Sequence, residues 1–185
     1  LQKKYNATSV HISAEYEPTG AARDAKVEAA GIELTRTGSP YAVAPGRVRK
    51  PSDDTPYKVY TPFYRAWLAH GWRAPAPRPK SIPTVDADPA NRNFPDWKMP
   101  DDVIATSAGE QAALERFKVF QKNGLANYDV ARNLAAIDGT SKMSAHLTYG
   151  EIHPRTLLAQ LGESKAHEVY RKEIAWREFY ADVLF

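Results

Sequence analysis

The sequence predicts an α/β segment followed by an all-α one, and three observations carry that prediction. Short β-rich runs alternate with a helical run before residue 56. Seven of the 14 prolines then crowd into residues 73–100, a density that interrupts any regular element. Beyond them the apolar residues recur only at helical spacing.

Each element follows from local chemistry. "TSVHIS" (8–13) is short and β-rich, and "PTGAARDAKVEAAG" (18–31) reads as a helix that Gly31 stops. "IELTR" (32–36) alternates as a strand does, so strand, helix and strand suggest a βαβ unit of a parallel sheet. "PYKVYTPFYRAWLAHG" (56–71) predicts a short strand, then a helix with Thr61 as N-cap, Pro62 at its first position and Gly71 at its end. The proline-dense run reads as an extended interdomain linker. After it, "GEQAALERFKVFQKNG" (109–124) sets Ala113, Phe117 and Phe120 on one face, joined by Leu114, and ends at Gly124. Further helices are expected near Tyr128, after His153–Pro154, and from about Ser164 to the last residue. The expected divisions are 1–72, 73–107 and 108–185.

Composition narrows the function classes. The apolar share of 43% and charged share of 25% are those of an ordinary globular protein. No apolar run approaches a membrane span and no leader pattern opens the chain, so a cytoplasmic protein is expected. Zero cysteines remove disulfides, zinc–thiolate sites and thiol catalysis together. The net charge of +3, with its basic excess in the first hundred residues, permits nucleic-acid binding without indicating it. The five histidines show no metal-ligand spacing, and no metal is expected. Two or three parallel strands alone leave edges and a face open, so the sequence reads as a section of something longer.

Two runs carry chemistry. "GTSKMS" (139–144) places small hydroxyl residues and a Lys ahead of a helical pattern, which suits a phosphate. "EIAWREFY" (173–180) puts Glu173, Trp176 and Tyr180 on one stripe with Val169, a carboxylate among apolar and aromatic side chains. In order along the chain stand Tyr128, Arg132, Gly139–Ser144, Gly150 to Arg155 and Glu173 to Tyr180. This series resembles the DNA photolyase/cryptochrome family, whose pattern is a Tyr, an Arg four residues on, GTS-x-LS, G-x-x-S-P-R and E-x-x-WREFY. "GSPYAVAPGRV" (38–48) and "TPYKVYTPFYRAW" (55–67) are similar to the end of that family's N-terminal domain, and "GEQAALERF" (109–117) to its first flavin-domain helix. Within the family the bacterial class I members that repair cyclobutane pyrimidine dimers are the most similar.

The resemblance implies the end of a Rossmann-like antenna domain, a long linker and the first part of a helical FAD-binding domain. It implies a monomer acting on UV-damaged DNA: light excites reduced FAD, an electron passes to a flipped-out dimer, and the ring splits. Photolyases are among the known base-flipping enzymes. By the same resemblance Tyr128, Thr140, Ser141, Lys142, Met143, Ser144 and Tyr170 contact FAD. Glu173 and Trp176 are the catalytic pair, Glu173 bonding the lesion's carbonyl and ring N–H and Trp176 stacking on the extruded bases. Arg132, Glu173, Ile174, Ala175, Trp176, Arg177, Glu178, Phe179 and Tyr180 form the DNA-facing set. An antenna chromophore of unknown type is possible for the family. Folate is not expected, because "PTGA" (18–21) stands where folate-using members carry Asn-Glu ahead of "ARD" (22–24). The section alone is expected to bind FAD weakly or not at all and to be inactive. A cryptochrome-type photoreceptor and a (6-4) photolyase are the alternatives.

Overall fold

The computed structural model describes residues 2–82, 84 and 107–185. Most of the expected linker, with Trp97, lies outside the described residues.

The β-rich runs condense into two strands, β1 (Val10–Ile12) and β2 (Leu34–Arg36), joined by helix α1 (Pro18–Ala29). They pair in parallel with Val10 opposite Leu34, which is the predicted βαβ order. Gly31, at φ +84°, takes the left-handed turn that leads the chain out of α1. The strand expected within 56–60 is absent; that stretch forms one isolated antiparallel bridge between Arg49 and Pro56. Helix α2 (Tyr60–His70) starts earlier than predicted, with Val59 rather than Thr61 as N-cap. Pro62 still falls in the first turn, where its missing N–H leaves no bond unmade.

The second half is helical: α3 (Glu110–Asn123), a 3₁₀ turn at Leu125–Asn127, α4 (Tyr128–Ala131), α5 (Ser144–Thr148), α6 (Pro154–Leu158) and α7 (Lys165–Leu184). In α3 the predicted Ala113, Phe117 and Phe120 are buried, but Leu114 is exposed. The α3 N-terminus is held from outside, since the Gly109 N–H donates to Glu151 at 2.8 Å. Ser164 caps α7 by accepting from the His167 N–H.

One core unites the two halves. Ala42, Val43 and Val48 from the loop after β2, and Phe63, Tyr64 and Trp67 from α2, pack with Phe117 and Phe120 of α3 and Ile174, Ala175 and Phe179 of α7. Helix α7 is the shared wall. Its Glu178 is buried and accepts from the backbone N–H groups of Ala42 and Val43 and from Trp67 Nε1 at 2.6 Å. Four residues on, Asp182 accepts from the Gly46 N–H at 2.6 Å. Carboxylates thus bind the loop that leads out of the sheet onto the helical half. His153 adds a third tie, with its Nε2 bonded to the Ser39 carbonyl at 2.8 Å and its Nδ1 accepting from Arg155 N–H. That pattern fixes one neutral tautomer, and burial accordingly pushes the His153 pKa down.

Candidate functional site

Helix α7 presents two faces. Ala166, Tyr170, Ile174, Ala175, Glu178 and Phe179 point inward and are buried. Val169, Glu173 and Trp176 lie along a partly buried edge that ends at exposed Tyr180. The predicted stripe therefore exists, along the border of the core.

On that border α4 meets α7. Arg132, just past α4, forms an ion pair with Glu173, and the two side chains are 30% and 33% exposed. The guanidinium also lies over the Tyr128 ring, 5.5 Å from its centroid. Its bond to Glu173 holds the Arg132 charge more firmly still, pushing its pKa up. One helical turn along, Trp176 stacks face to face on Tyr60 of α2, with centroids 3.6 Å apart and planes 7° from parallel. Tyr60 is itself pinned, its hydroxyl donating to the Lys172 carbonyl at 2.8 Å. Tyr180 stacks on Trp176 more loosely, at 5.5 Å.

The hydroxyl loop lies behind this edge, between α4 and α5. Its residues alternate: Ser141 and Met143 are buried while Thr140, Lys142 and Ser144 are exposed. The Tyr170 hydroxyl donates to Ser141 Oγ at 3.0 Å, fastening the loop to α7. Arg116 of α3 fastens it from the other side, Nε donating to the Ser141 carbonyl at 3.1 Å. Gly139 is required by space: a Cβ there would stand 2.6 Å from the Ala131 carbonyl oxygen. Lys142 adopts φ +54°, a left-handed conformation that costs a side-chain-bearing residue about 1–2 kcal/mol. Its ammonium is bonded to Asp138 at 2.6 Å.

Set against the expected site, this arrangement keeps some residues together and removes others. Arg132, Glu173, Trp176 and Tyr180 share one accessible edge. Ile174, Ala175, Glu178 and Phe179, expected to face DNA, are interior because they sit on the core side of α7. Arg177 is also turned inward: its guanidinium lies 4.5 Å over the Tyr41 ring and bonds the Pro40 and Leu147 carbonyls, so it braces the fold. Among the residues expected to touch FAD, Tyr128, Ser141, Met143 and Tyr170 are buried and engaged with protein. Thr140, Lys142 and Ser144 are the accessible three. Exposed hydroxyls at Thr140 and Ser144 are a donor set that suits an anionic group, while the Lys142 ammonium between them is already paired with Asp138. Tyr60 and Arg116 were not foreseen. Their partners lie on distant helices, and no spacing in the sequence reports them.

A two-stranded parallel sheet is thus tied by buried carboxylates to a helical body that carries the hydroxyl loop and the Glu–Trp edge. Residues 1–81 match the DNA photolyase family model. The chain is 32% identical over 204 residues to the deoxyribodipyrimidine photo-lyase of Agrobacterium fabrum, covering 100% of this chain and 42% of that protein. It is 30% identical over 194 residues to that of Escherichia coli, covering 97% and 40%. A bacterial class III photolyase from Agrobacterium tumefaciens superposes with a TM-score of 0.84 at 30% identity, covering 100% of this chain and 42% of that one. A Synechocystis sp. PCC6803 cryptochrome shares the fold, with a TM-score of 0.65 at 22% identity over 98% of this chain and 42% of its own. The chain belongs to the DNA photolyase/cryptochrome family and spans about two fifths of the length of these curated relatives. The class I placement expected from sequence meets a class III structural relative, so the relatives establish the family and leave the class open.

No helix among the described residues is long and apolar enough to cross a membrane. No group of three His, Asp or Glu among them could hold a metal ion.

Proposed function

We propose that this chain supplies the lesion-facing edge and part of the flavin phosphate site of a light-driven DNA-repair lyase that splits cyclobutane pyrimidine dimers. One observation carries the reading: the Arg132–Glu173 pair and Trp176 stand together on an accessible edge, next to the hydroxyl loop. An ion pair and a large ring left at a surface suit a flat, hydrogen-bonding ligand better than they suit a core.

Bound FAD would supply an electron on illumination. Thr140, Lys142 and Ser144 would hold its phosphates, with Ser141 and Tyr170 fixing the loop beneath them. Paired with Arg132, the Glu173 carboxylate is an acceptor only, so it takes the ring N–H of an extruded pyrimidine. The neighbouring guanidinium is the donor for a carbonyl and for negative charge that grows there. Trp176 offers a stacking surface, a contact worth about 1–3 kcal/mol per base. The face against Tyr60 is already covered and Tyr180 stacks loosely on the ring as well, so the base meets the part of Trp176 that these two rings leave exposed.

The test is a chimera in which this chain replaces the matching segment of the Agrobacterium fabrum relative. Flavin absorbance is checked first, then blue-light repair of defined cyclobutane and (6-4) lesions in DNA. Repair of the cyclobutane dimer, reduced by Glu173→Ala, is expected. Flavin binding without repair of either lesion would move the reading to a photoreceptor, and repair of the (6-4) lesion alone would change the substrate.

A further inference from the structure

The two helices beside the hydroxyl loop, α3 and α5, are joined through a closed ring of hydrogen bonds. Helix α5 begins at Ser144, the last residue of the loop. It ends in a Schellman turn, where Gly150 takes φ +69° and the Glu151 N–H donates to the His146 carbonyl at 2.9 Å. That turn carries the Glu151 side chain back onto the helix just left, where Nδ1 of buried His146 lies 2.5 Å from Oε2. The other carboxylate oxygen, Oε1, accepts from the Gly109 N–H at the start of α3. Further along α3, Arg116 grips the Ser141 carbonyl, so the path leaves the loop at Ser144 and re-enters it at Ser141. We propose that Glu151 and His146 are positioning residues for this loop, clamping α5 to α3 and so setting the spacing at which Thr140 and Ser144 meet the flavin phosphates.

Inside the loop there is little to hold its shape. Lys142 is left-handed, and the Met143 N–H reaches Ser141 Oγ only at 3.4 Å. The loop is therefore held from outside, by Tyr170 at its centre and by α3 and α5 at its flanks. Those flanks keep a fixed separation only while Glu151 joins them. The phosphate half of this inference rests on the flavin reading above; the clamp itself does not.

A carboxylate suits the task because each of its oxygens can serve a different helix. The Gly109 N–H, and after it His146, hold the Glu151 carboxyl below its ordinary pKa, so the group is ionised and accepts only. The hydrogen of the His146 contact accordingly lies on Nδ1. A glutamine at 151 offers one acceptor and one donor. It keeps both contacts only if His146 moves that hydrogen to Nε2, so Glu151→Gln is a partial replacement and Glu151→Ala a complete loss.

The test combines amide hydrogen exchange with flavin affinity in the chimera. In Glu151→Ala the amides of Gly139 and Leu147, which flank the loop, should exchange faster, while those of α1, outside the ring, keep their rates. The dissociation constant for FAD should rise roughly 2- to 30-fold, with Glu151→Gln between wild type and Ala. Riboflavin, the same ring system without phosphates, should bind as before. His146→Asn cuts the clamp at α5 and leaves the Gly109 bond, and it is held to the same outcomes where Glu151→Ala does not fold. Unchanged exchange at Gly139 and Leu147 overturns the proposal, and so does faster exchange throughout the chain with both flavins weakened alike. Faster exchange confined to the loop with FAD affinity unchanged supports the clamp and refutes the phosphate reading. An unaltered chimera that holds FAD no more tightly than riboflavin refutes that reading too, while the exchange rates still decide the clamp.

Discussion

Trp176 lies flat on Tyr60, 3.6 Å from centroid to centroid, although one ring comes from α7 and the other from the start of α2. The contact fixes the plane of the Trp176 ring on the accessible edge and covers one of its faces. Tyr60 acts through this stack and through its hydroxyl bond to Lys172.

Replacing Tyr60 separates the two contributions. Tyr60→Phe keeps the ring and removes one hydrogen bond, an expected loss of about 1 kcal/mol. Tyr60→Ala removes the stack as well, which adds about 0.5–1.5 kcal/mol beyond the area term. Urea midpoints measure both, and near-UV circular dichroism of Trp176 should collapse only in the Ala variant. Equal losses in the two variants would mean the stack contributes nothing.

Arg132 is engaged by a carboxylate, which distinguishes it from a phosphate-binding arginine. As a partly exposed pair, Arg132–Glu173 should show a coupling of at most about 1 kcal/mol in a double-mutant cycle on stability. In the chimera, Arg132→Ala should weaken binding to dimer-containing DNA while leaving the salt dependence of undamaged-DNA binding unchanged. An arginine spent on a phosphate would instead lower the log–log salt slope by about one. Titrations at several salt concentrations separate the two.

The sequence carried the helices well and the site unevenly, for physical reasons. Gly31, Gly71, Gly109 and Gly124 punctuate chain geometry locally, so α1, α2 and α3 are legible from composition and spacing alone. The stripe of Glu173, Trp176 and Tyr180 is legible too, because α7 is one continuous helix. Which side of α7 faces the core was not. That is set by Ala42, Val43 and Trp67 converging on Glu178, contacts with no periodic signature. Treating 173–180 as one DNA-facing block therefore swept four interior residues and an inward brace into the site. The same cause hid Tyr60 and Arg116.

Gly139 offers a sharp test of the hydroxyl loop. A methyl at this position meets backbone of Ala131 rather than a movable side chain, so either the loop or α4 must shift. Gly139→Ala is expected to cost about 1–3 kcal/mol, the usual range for overpacking. It should weaken flavin retention in the chimera more than Lys142→Gly, which relieves a left-handed residue. A Gly139→Ala variant with an unchanged urea midpoint would show that the contact is not tight.

The buried Glu178 and the half-buried His153, which both join the halves, have pKa values shifted in opposite directions. Glu178 has a folded pKa of about 7 against an ordinary 4.5, so its stabilisation is complete below 4.5 and is lost as pH rises through 7. That shift corresponds to a change on the order of 3 kcal/mol across the window. His153 is pushed below its ordinary 6.5 by burial, so its contribution is present above 6.5 and is lost as pH falls through its folded pKa. Around pH 6 the two slopes oppose each other, and the wild-type profile should be flatter than either alone. Urea midpoints across the range should fall more steeply with pH in His153→Gln, where Glu178 acts unopposed. In Glu178→Gln they should rise with pH instead, whatever the lower overall stability of that variant. Parallel profiles for the two variants would mean that neither group titrates as its surroundings require.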